Sequence, residues 1–349
     1  MSQQNCAVVL AAGEGKRMKW DRPKCLSPVL FKPMLQWVLD SARAAGLQNI
    51  CTVTGFLHEQ VNAYLQKNDP AVVSVLQAER RGTGHAVMMA ADFIRSHAAG
   101  GNVLILNGDA PFLSPQTITN ALKEHEKSEN SVTVISAILE DPTGYGRIIR
   151  TSEGGSVRAI IEQKDASAEE RAVREVNSGA YWFRANDLLG ILPQIKTSNS
   201  QGEYYLTDAV ELLIACGKRA GACAAETADA AKGANDCLQL HELNTIARRA
   251  VLEKQMRAGV DIPCTDGILL GPDVAIGRNC TLLPGTVLYG QTFIGDGCTL
   301  GPNTILKDCS IGSGSVLDSV RGEGFTAAPG FRPKPFTILG SGQGKPERA

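Results

Sequence analysis

From Leu270 onward aliphatic residues return at every sixth position: Leu270, Ile276, Leu282, Leu288, Ile294, Leu300 and Leu306, with Gly271, Gly277, Gly295 and Gly301 among the residues between them. A period of six fits neither the 3.6 of a helix nor the 2 of an ordinary strand. It fits a chain that turns a corner after each short strand. One side chain in six then points inward, and three such sides close one coil of a left-handed parallel β-helix built from hexapeptide repeats. The register slips by one at Ile311 and resumes at Leu317. Cys280 and Cys298 stand one coil apart at equivalent positions, which predicts two small buried apolar groups stacked on each other, not a redox pair.

Residues before the repeat obey another rule. Short apolar runs, Cys6 to Leu10, Ile50 to Val53, Val72 to Leu76, Val103 to Leu106 and Val132 to Ile135, read as strands. Between them Met34 to Ala45, Thr83 to Ile94 and Pro115 to Lys127 read as helices. This alternation predicts an α/β, Rossmann-like domain with a mostly parallel sheet covered on both faces, which binds its ligand beyond the carboxyl ends of the strands. A chain of 349 residues exceeds what one core usually fills, so the expected division is an α/β domain over 1–232, a linker helix within 233–260, a short β-helix over 261–320 and a Gly/Pro-rich tail over 321–349 with little to bury. The linker helix is amphipathic and runs roughly from Leu238 to Arg257.

Charge limits the partners. With 35 Lys and Arg against 36 Asp and Glu, the chain lacks the basic excess of a nucleic-acid coat, and no apolar run is long enough to span a bilayer. Its first residues are polar and lead straight into a strand, so the expected address is the cytoplasm. Ten cysteines without a C-x-x-C pair read as reduced thiols.

Positive charge is instead local: Lys16, Arg17, Lys19, Arg22 and Lys24 follow the first strand in the stretch "VVLAAGEGKRMKWDRPK". The dinucleotide pattern G-x-G-x-x-G fails because Met18 stands at the third glycine, and the phosphate loop G-x-x-x-x-G-K-[ST] fails because Arg17 follows Gly15-Lys16. Two readings remain for the stretch itself, a strand-to-helix turn with solvated cations or a polyphosphate cradle. Asp109, in "VLILNGDAP", is open in the same way. It is either part of an Asn-Gly-Asp turn or a carboxylate at a strand end, suited to a Mg²⁺ that takes its other oxygens from phosphates and water.

"LAAGEGKRM", "PKCL", "QAERRGTGHA", "NGDAP", "DPTGYGRI", "IEQKDA", "EVNSGAY", "GEYYLTDA" and "GANDCLQL" occur together and in order. Over about residues 5 to 320 the chain thereby resembles the bacterial N-acetylglucosamine-1-phosphate uridyltransferases, usually the N-terminal half of a bifunctional enzyme. The resemblance implies a Mg²⁺-dependent nucleotidyltransferase domain that joins UTP and N-acetylglucosamine 1-phosphate into UDP-N-acetylglucosamine and pyrophosphate. It assigns Leu10, Ala11, Ala12, Gly13, Gln77, Gly82 and Thr83 to the nucleotide, and Arg17, Lys24 and Lys16 to the phosphates. Gly146, Glu162 and Asn177 fall to the sugar phosphate, Asp109 and Asn235 to Mg²⁺. Taken singly, each residue has an ordinary alternative: Gln77 a strand end, Glu162 a solvated charge, Asn177 and Asn235 turn formers, Thr83 a helix cap. Departures from the family lie at Asn107 and Ala110, and neither would be a metal ligand.

In the bifunctional family the β-helix carries an acetyltransferase whose base is a histidine. Here His58, His85, His97, His125 and His241 all precede the repeat, so no acetyltransferase activity is expected. The resemblance implies a homotrimer formed through the β-helix. Competing readings are a pyrophosphorylase for another sugar 1-phosphate or nucleotide, a non-catalytic trimeric scaffold, and, disfavoured by the missing histidine, a stand-alone acyltransferase.

Overall fold

A computed structural model describes residues 5–152, 155–197, 199 and 201–340. The chain divides into two compact units, residues up to Ser27 with Pro33–Gln239, and Pro28–Lys32 with the residues from Leu240 onward. The division between Gln239 and Leu240 lies inside the helix Cys237–Arg257, within the stretch 233–260 expected as a linker.

Nine strands form the sheet of the first unit, with a main order of Ala220–Ala224, Val132–Ile138, Glu175–Arg184, Asn102–Asn107, Cys6–Ala11, Asn49–Thr54 and Val73–Leu76. Cys6–Ala11 pairs in parallel with both Asn49–Thr54 and Asn102–Asn107. The chain thus moves outward one way to Val73–Leu76, then returns to the other side of the first strand. Such a reversal opens a crevice at the carboxyl ends of the two flanking strands. Glu175–Arg184 runs antiparallel, with Tyr181 opposite Ile105, so its early residues reach the same edge as the end of Asn102–Asn107.

Alternation along the strands supplies both faces of the sheet. Val8, Val53, Val103, Ile105, Val134 and Phe183 are buried with the helices Ala185–Ile191 and Leu206–Ala215. Ala7, Val9, Leu104, Leu106, Ile135 and Trp182 are buried on the other side with Met34–Ala44 and Pro115–Lys127. Ser114 caps the last of these helices by accepting from the Thr117 N–H at 3.0 Å, with Pro115 pre-set in its first turn. The expected helix over 83–94 is two, Thr83–Met89 and Ala91–His97, separated by a tightened turn at Ala90.

In the second unit, short parallel strands stack in three columns, the geometry of a left-handed β-helix. Leu270 lies over Leu288 and Leu306, Ile276 over Ile294 and Ile311, and Leu282 over Leu300 and Leu317. All of these are buried except Ile276, which is half-buried. Cys280 and Cys298 are fully buried free thiols, their Sγ atoms 3.1 and 3.3 Å from the carbonyls of Gly295 and Gly312.

The ladder does not stop where the aliphatic repeat does. Arg321–Glu323, Thr326–Ala327 and Ile338–Gly340 continue it through residues expected as a tail. The inward positions there are Gly322 and Ala327, in register with Leu306 and Ile311, and Leu339 then covers Gly322. Small inward residues at spacings shortened to 16 and 17 erase the period of six without ending the fold. Residues 341–349 of the expected tail lie outside the described residues.

Candidate active site

The loop that leaves Cys6–Ala11 forms one wall of a cleft of about 700 Å³, all within the first unit. Leu10, Ala11, Ala12, Gly13 and Lys16 line it from this loop, Gln77, Gly82 and Thr83 from the segment after Val73–Leu76, and Asp109 with Lys24 from its floor. Gly15 takes φ +66°, and a Cβ there would lie 2.9 Å from the Cβ of Lys24. Glycine is therefore required on two counts, and its absent side chain lets the loop close on Lys24.

Lys24 joins the central group. Its ammonium forms an ion pair with the Asp109 carboxylate and donates to Asn235 Oδ1 at 3.0 Å. Asn235 comes from far along the sequence, and its loop is tied to the same point: the Ala234 N–H donates to the Asp109 carbonyl at 3.4 Å, and the Asn235 N–H to Gln239 Oε1 at 2.7 Å. A carboxylate oxygen and an amide oxygen thus converge on one cationic nitrogen. This pair fits a hard, oxygen-seeking cation that brings water and phosphate oxygens as its other ligands.

Gln77 is buried, and its Nε2 lies 3.0 Å from both the Gly82 carbonyl and His85 Nδ1. Nε2 donates to the Gly82 carbonyl, and Oε1 is the acceptor end of the same amide. Gly82 adopts φ +104°, and a Cβ would fall 2.5 Å from the Tyr204 carbonyl. That contact seats the "GEYYLTD" segment: Tyr204 N–H donates to the Arg81 carbonyl at 2.7 Å, and Leu206 N–H to Thr83 Oγ1 at 3.1 Å. Cys25 also lines the cleft, but burial, followed by the nearby Asp109 charge, pushes its thiol up to about 12, so it offers no thiolate nucleophile.

A second cleft of about 470 Å³ adjoins the first and shares Leu10, Thr83 and Asn107 with it. Glu162 and Asn177 line it. Gly146 stands beside them, its Cβ position 3.1 Å from Glu162 Oε1 and its carbonyl accepting from the Asn177 N–H at 2.9 Å. Asn177 is further fixed by donating from Nδ2 to the Tyr181 hydroxyl at 2.7 Å. Burial, with the Asp165 charge adding to it, holds the Glu162 carboxyl above the usual range against the opposing pull of Arg147.

Fourteen of the fifteen expected residues therefore meet around two adjoining clefts. Arg17 does not: it is exposed on the short turn Lys16–Met18 and lines neither cleft. Lys16 lines the first with its side chain 81% exposed and 3.9 Å from Glu14, which also holds Arg80 at 2.9 Å. Residues the sequence did not single out also face the clefts, Arg80 and Glu203 in the first and Lys164 and Tyr205 in the second. All four sit inside the quoted motifs, but only the fold shows which side of each segment turns inward.

Residues 6–230 match the nucleotidyl transferase family. The bifunctional protein GlmU of Acetivibrio thermocellus is 41% identical over 282 residues, covering 81% of this chain and 60% of that protein. That of Caldanaerobacter subterraneus subsp. tengcongensis is 41% identical over 319 residues, 91% of this chain and 66% of its own length. For Streptomyces avermitilis GlmU the figures are 40% over 335 residues, 96% and 69%. The chain thus spans between three fifths and about two thirds of the length of these relatives.

Proposed function

The chain belongs to the nucleotidyl transferase family, among the relatives of the bifunctional GlmU proteins, and from this we propose that it is a uridylyltransferase acting on UTP and N-acetylglucosamine 1-phosphate. The observation that carries the reading is the meeting of Lys24 with Asp109 and Asn235, the first two of which line the larger of two adjoining clefts. The larger takes the nucleotide, with Gln77 Oε1 accepting from a base N–H and the loop from Leu10 to Gly13 against the base and ribose. The smaller takes the sugar phosphate between Glu162 and Asn177.

Attack by a sugar phosphate on the α-phosphorus of a nucleoside triphosphate uses a nucleophile that is already an anion, so no general base is required. What the protein contributes is alignment and neutralisation of charge. Lys24 holds its ammonium beside the α-phosphate or the attacking phosphate, and Lys16, at the open side of the cleft, follows charge onto the leaving pyrophosphate. Asp109 and Asn235 would hold Mg²⁺, which supplies Lewis-acid neutralisation of phosphate oxygens when bound. Arg17 is retained in the proposal on sequence grounds. A fall in kcat for Arg17→Ala would assign it to the reaction, whereas a rise in KM alone would assign it to binding.

No helix of the described residues is long and apolar enough to cross a membrane. A cytoplasmic address, a homotrimer and the lack of acetyl transfer from acetyl-CoA to glucosamine 1-phosphate belong to the same proposal. Pyrophosphate release measured with UTP, Mg²⁺ and N-acetylglucosamine 1-phosphate, beside a panel of other nucleotides and sugar phosphates, tests the reading. Faster release with another pair would replace the substrate, and no release with any pair would end the proposal in favour of a scaffold.

A further inference from the structure

Pro28–Val29 and Lys32–Pro33 form a hairpin whose two central residues, Leu30 and Phe31, both lie in the left-handed region, with φ +44° and +67°. Turns of this kind favour Asn-Gly, because bulky L-residues are strained there. Strain of this sort persists only where the surroundings over-determine the conformation. Here they do. Asn244 Oδ1 accepts from the Leu30 N–H at 3.0 Å while its Nδ2 donates to the Leu240 carbonyl at 2.9 Å, binding the turn to the helix Cys237–Arg257. The Phe31 ring stacks on Tyr289 with centroids 4.5 Å apart, and Lys32 Nζ lies 2.6 Å from Asp273. Residues Pro28–Lys32 of the hairpin accordingly belong to the second unit, although the chain on both sides of them belongs to the first.

Connectivity gives this arrangement a use. Lys24 precedes Pro28 by four residues, and Asn235 precedes the first residue of the same helix by two. Lys24 and its hydrogen-bond partner Asn235 are therefore each tethered over a short span to the elements that Asn244 joins. We infer that Asn244 is a positioning residue, joining the strained hairpin to the helix and thereby, through the short chain spans that lead into these two elements, keeping Lys24 and Asn235 in register with each other. The part of this inference that concerns the reaction rests on the function proposed above.

Two readouts test it on the full chain. In the protein without substrate or metal, Asn244→Ala should speed amide hydrogen exchange in residues 22–27 and 233–237 about fivefold, the effect of losing roughly one net hydrogen bond. In pyrophosphate release, the Mg²⁺ concentration for half-maximal rate should rise by a similar factor, and Asn244→Asp, which keeps an acceptor for the Leu30 N–H, should recover most of it. Phe31→Ala, which removes the ring stack and leaves Asn244 in place, should move both readouts the same way and serves if Asn244→Ala does not fold. Unchanged exchange in 22–27 and 233–237 in a folded variant overturns the inference, as does faster exchange confined to the helix with an unaltered Mg²⁺ requirement. A wild-type protein that releases no pyrophosphate would instead overturn the reaction, with the exchange measurement still deciding the tether.

Discussion

The two units reach stability and function by opposite routes. In the β-helix each inward residue is supported by the residue one coil away, so the fold is a stack of nearest-neighbour contacts. In the α/β unit the residues around Lys24 come from positions as far apart as 24, 109 and 235, and no local pattern connects them. A repeat can be altered at one coil and answer there. A convergent site answers as a whole, because removing one member leaves the others unpaired.

The largest effect should come from the convergent site. Asp109→Asn keeps shape and hydrogen bonding but removes the charge facing Lys24, and turnover should fall on the order of 10³, about 4 kcal/mol of transition-state stabilisation, while the melting temperature stays within a few degrees of wild type. Full activity at ordinary Mg²⁺ would remove Asp109 from the chemistry. Leu288→Ala should do the reverse. Leu288 is fully buried between Leu270 and Leu306, and its truncation should cost about 3 kcal/mol. Hydrogen exchange should rise in the coils on either side, with kcat unchanged at temperatures where the variant is folded. A loss of activity at those temperatures would mean that the repeat is not answering locally.

The same contrast explains what was legible in the sequence. The β-helix could be read from Leu270 to Leu317 because one physical rule, an aliphatic group facing the axis, is written into every sixth residue. The cleft could be read only through the ordered motifs, since neither the spacing of Lys24 and Asn235 nor their residue types predicts that they touch. Exposure of Arg17 was hidden for a related reason. Charge density in a loop says that cations are present, but the direction of each one is decided by packing, here the burial of the neighbouring Met18. The antiparallel strand Glu175–Arg184, which delivers Asn177 to the cleft edge, went unmarked because polar Asn177 and Ser178 break its apolar pattern.

A third prediction probes the α/β unit away from its site. His125 is buried, with Nδ1 2.9 Å from Thr133 Oγ1 and no partner for Nε2 among the described residues. Burial, and then the Arg184 charge, lowers its pKa to about 4, against the small opposing effect of Asp187. The unfolded chain therefore takes up a proton near pH 6.5 that the folded protein refuses. The stability contribution of neutral His125 is complete above that pH, declines by about 1.4 kcal/mol per unit below it, and levels off near pH 4. Between pH 6.5 and 5.5 the unfolding free energy should fall by about 1 kcal/mol in wild type, since the full slope is reached only below the unfolded pKa, and this fall should be lost in His125→Gln. Equal slopes would show that the imidazole is already protonated in the fold.

The smallest effect belongs at the end of the ladder, where the repeat became unreadable. Gly322 is buried in register with Leu306, and an added Cβ would meet Leu306 Cδ2 at 3.0 Å and Cys309 Sγ at 3.2 Å. Both neighbours are side-chain ends that can yield by a few tenths of an ångström, so the crowding is mild. Against it, alanine restricts the unfolded chain by about 0.4–1 kcal/mol and gives the coil a methyl group to bury. Gly322→Ala should therefore stabilise the β-helix by a few tenths of a kcal/mol, read as a small upward shift in the denaturant midpoint at unchanged slope. A loss of about 2 kcal/mol or more would mean that the last coils close only because this inward position is empty, and that their departure from the period of six is a packing requirement of the shorter turns.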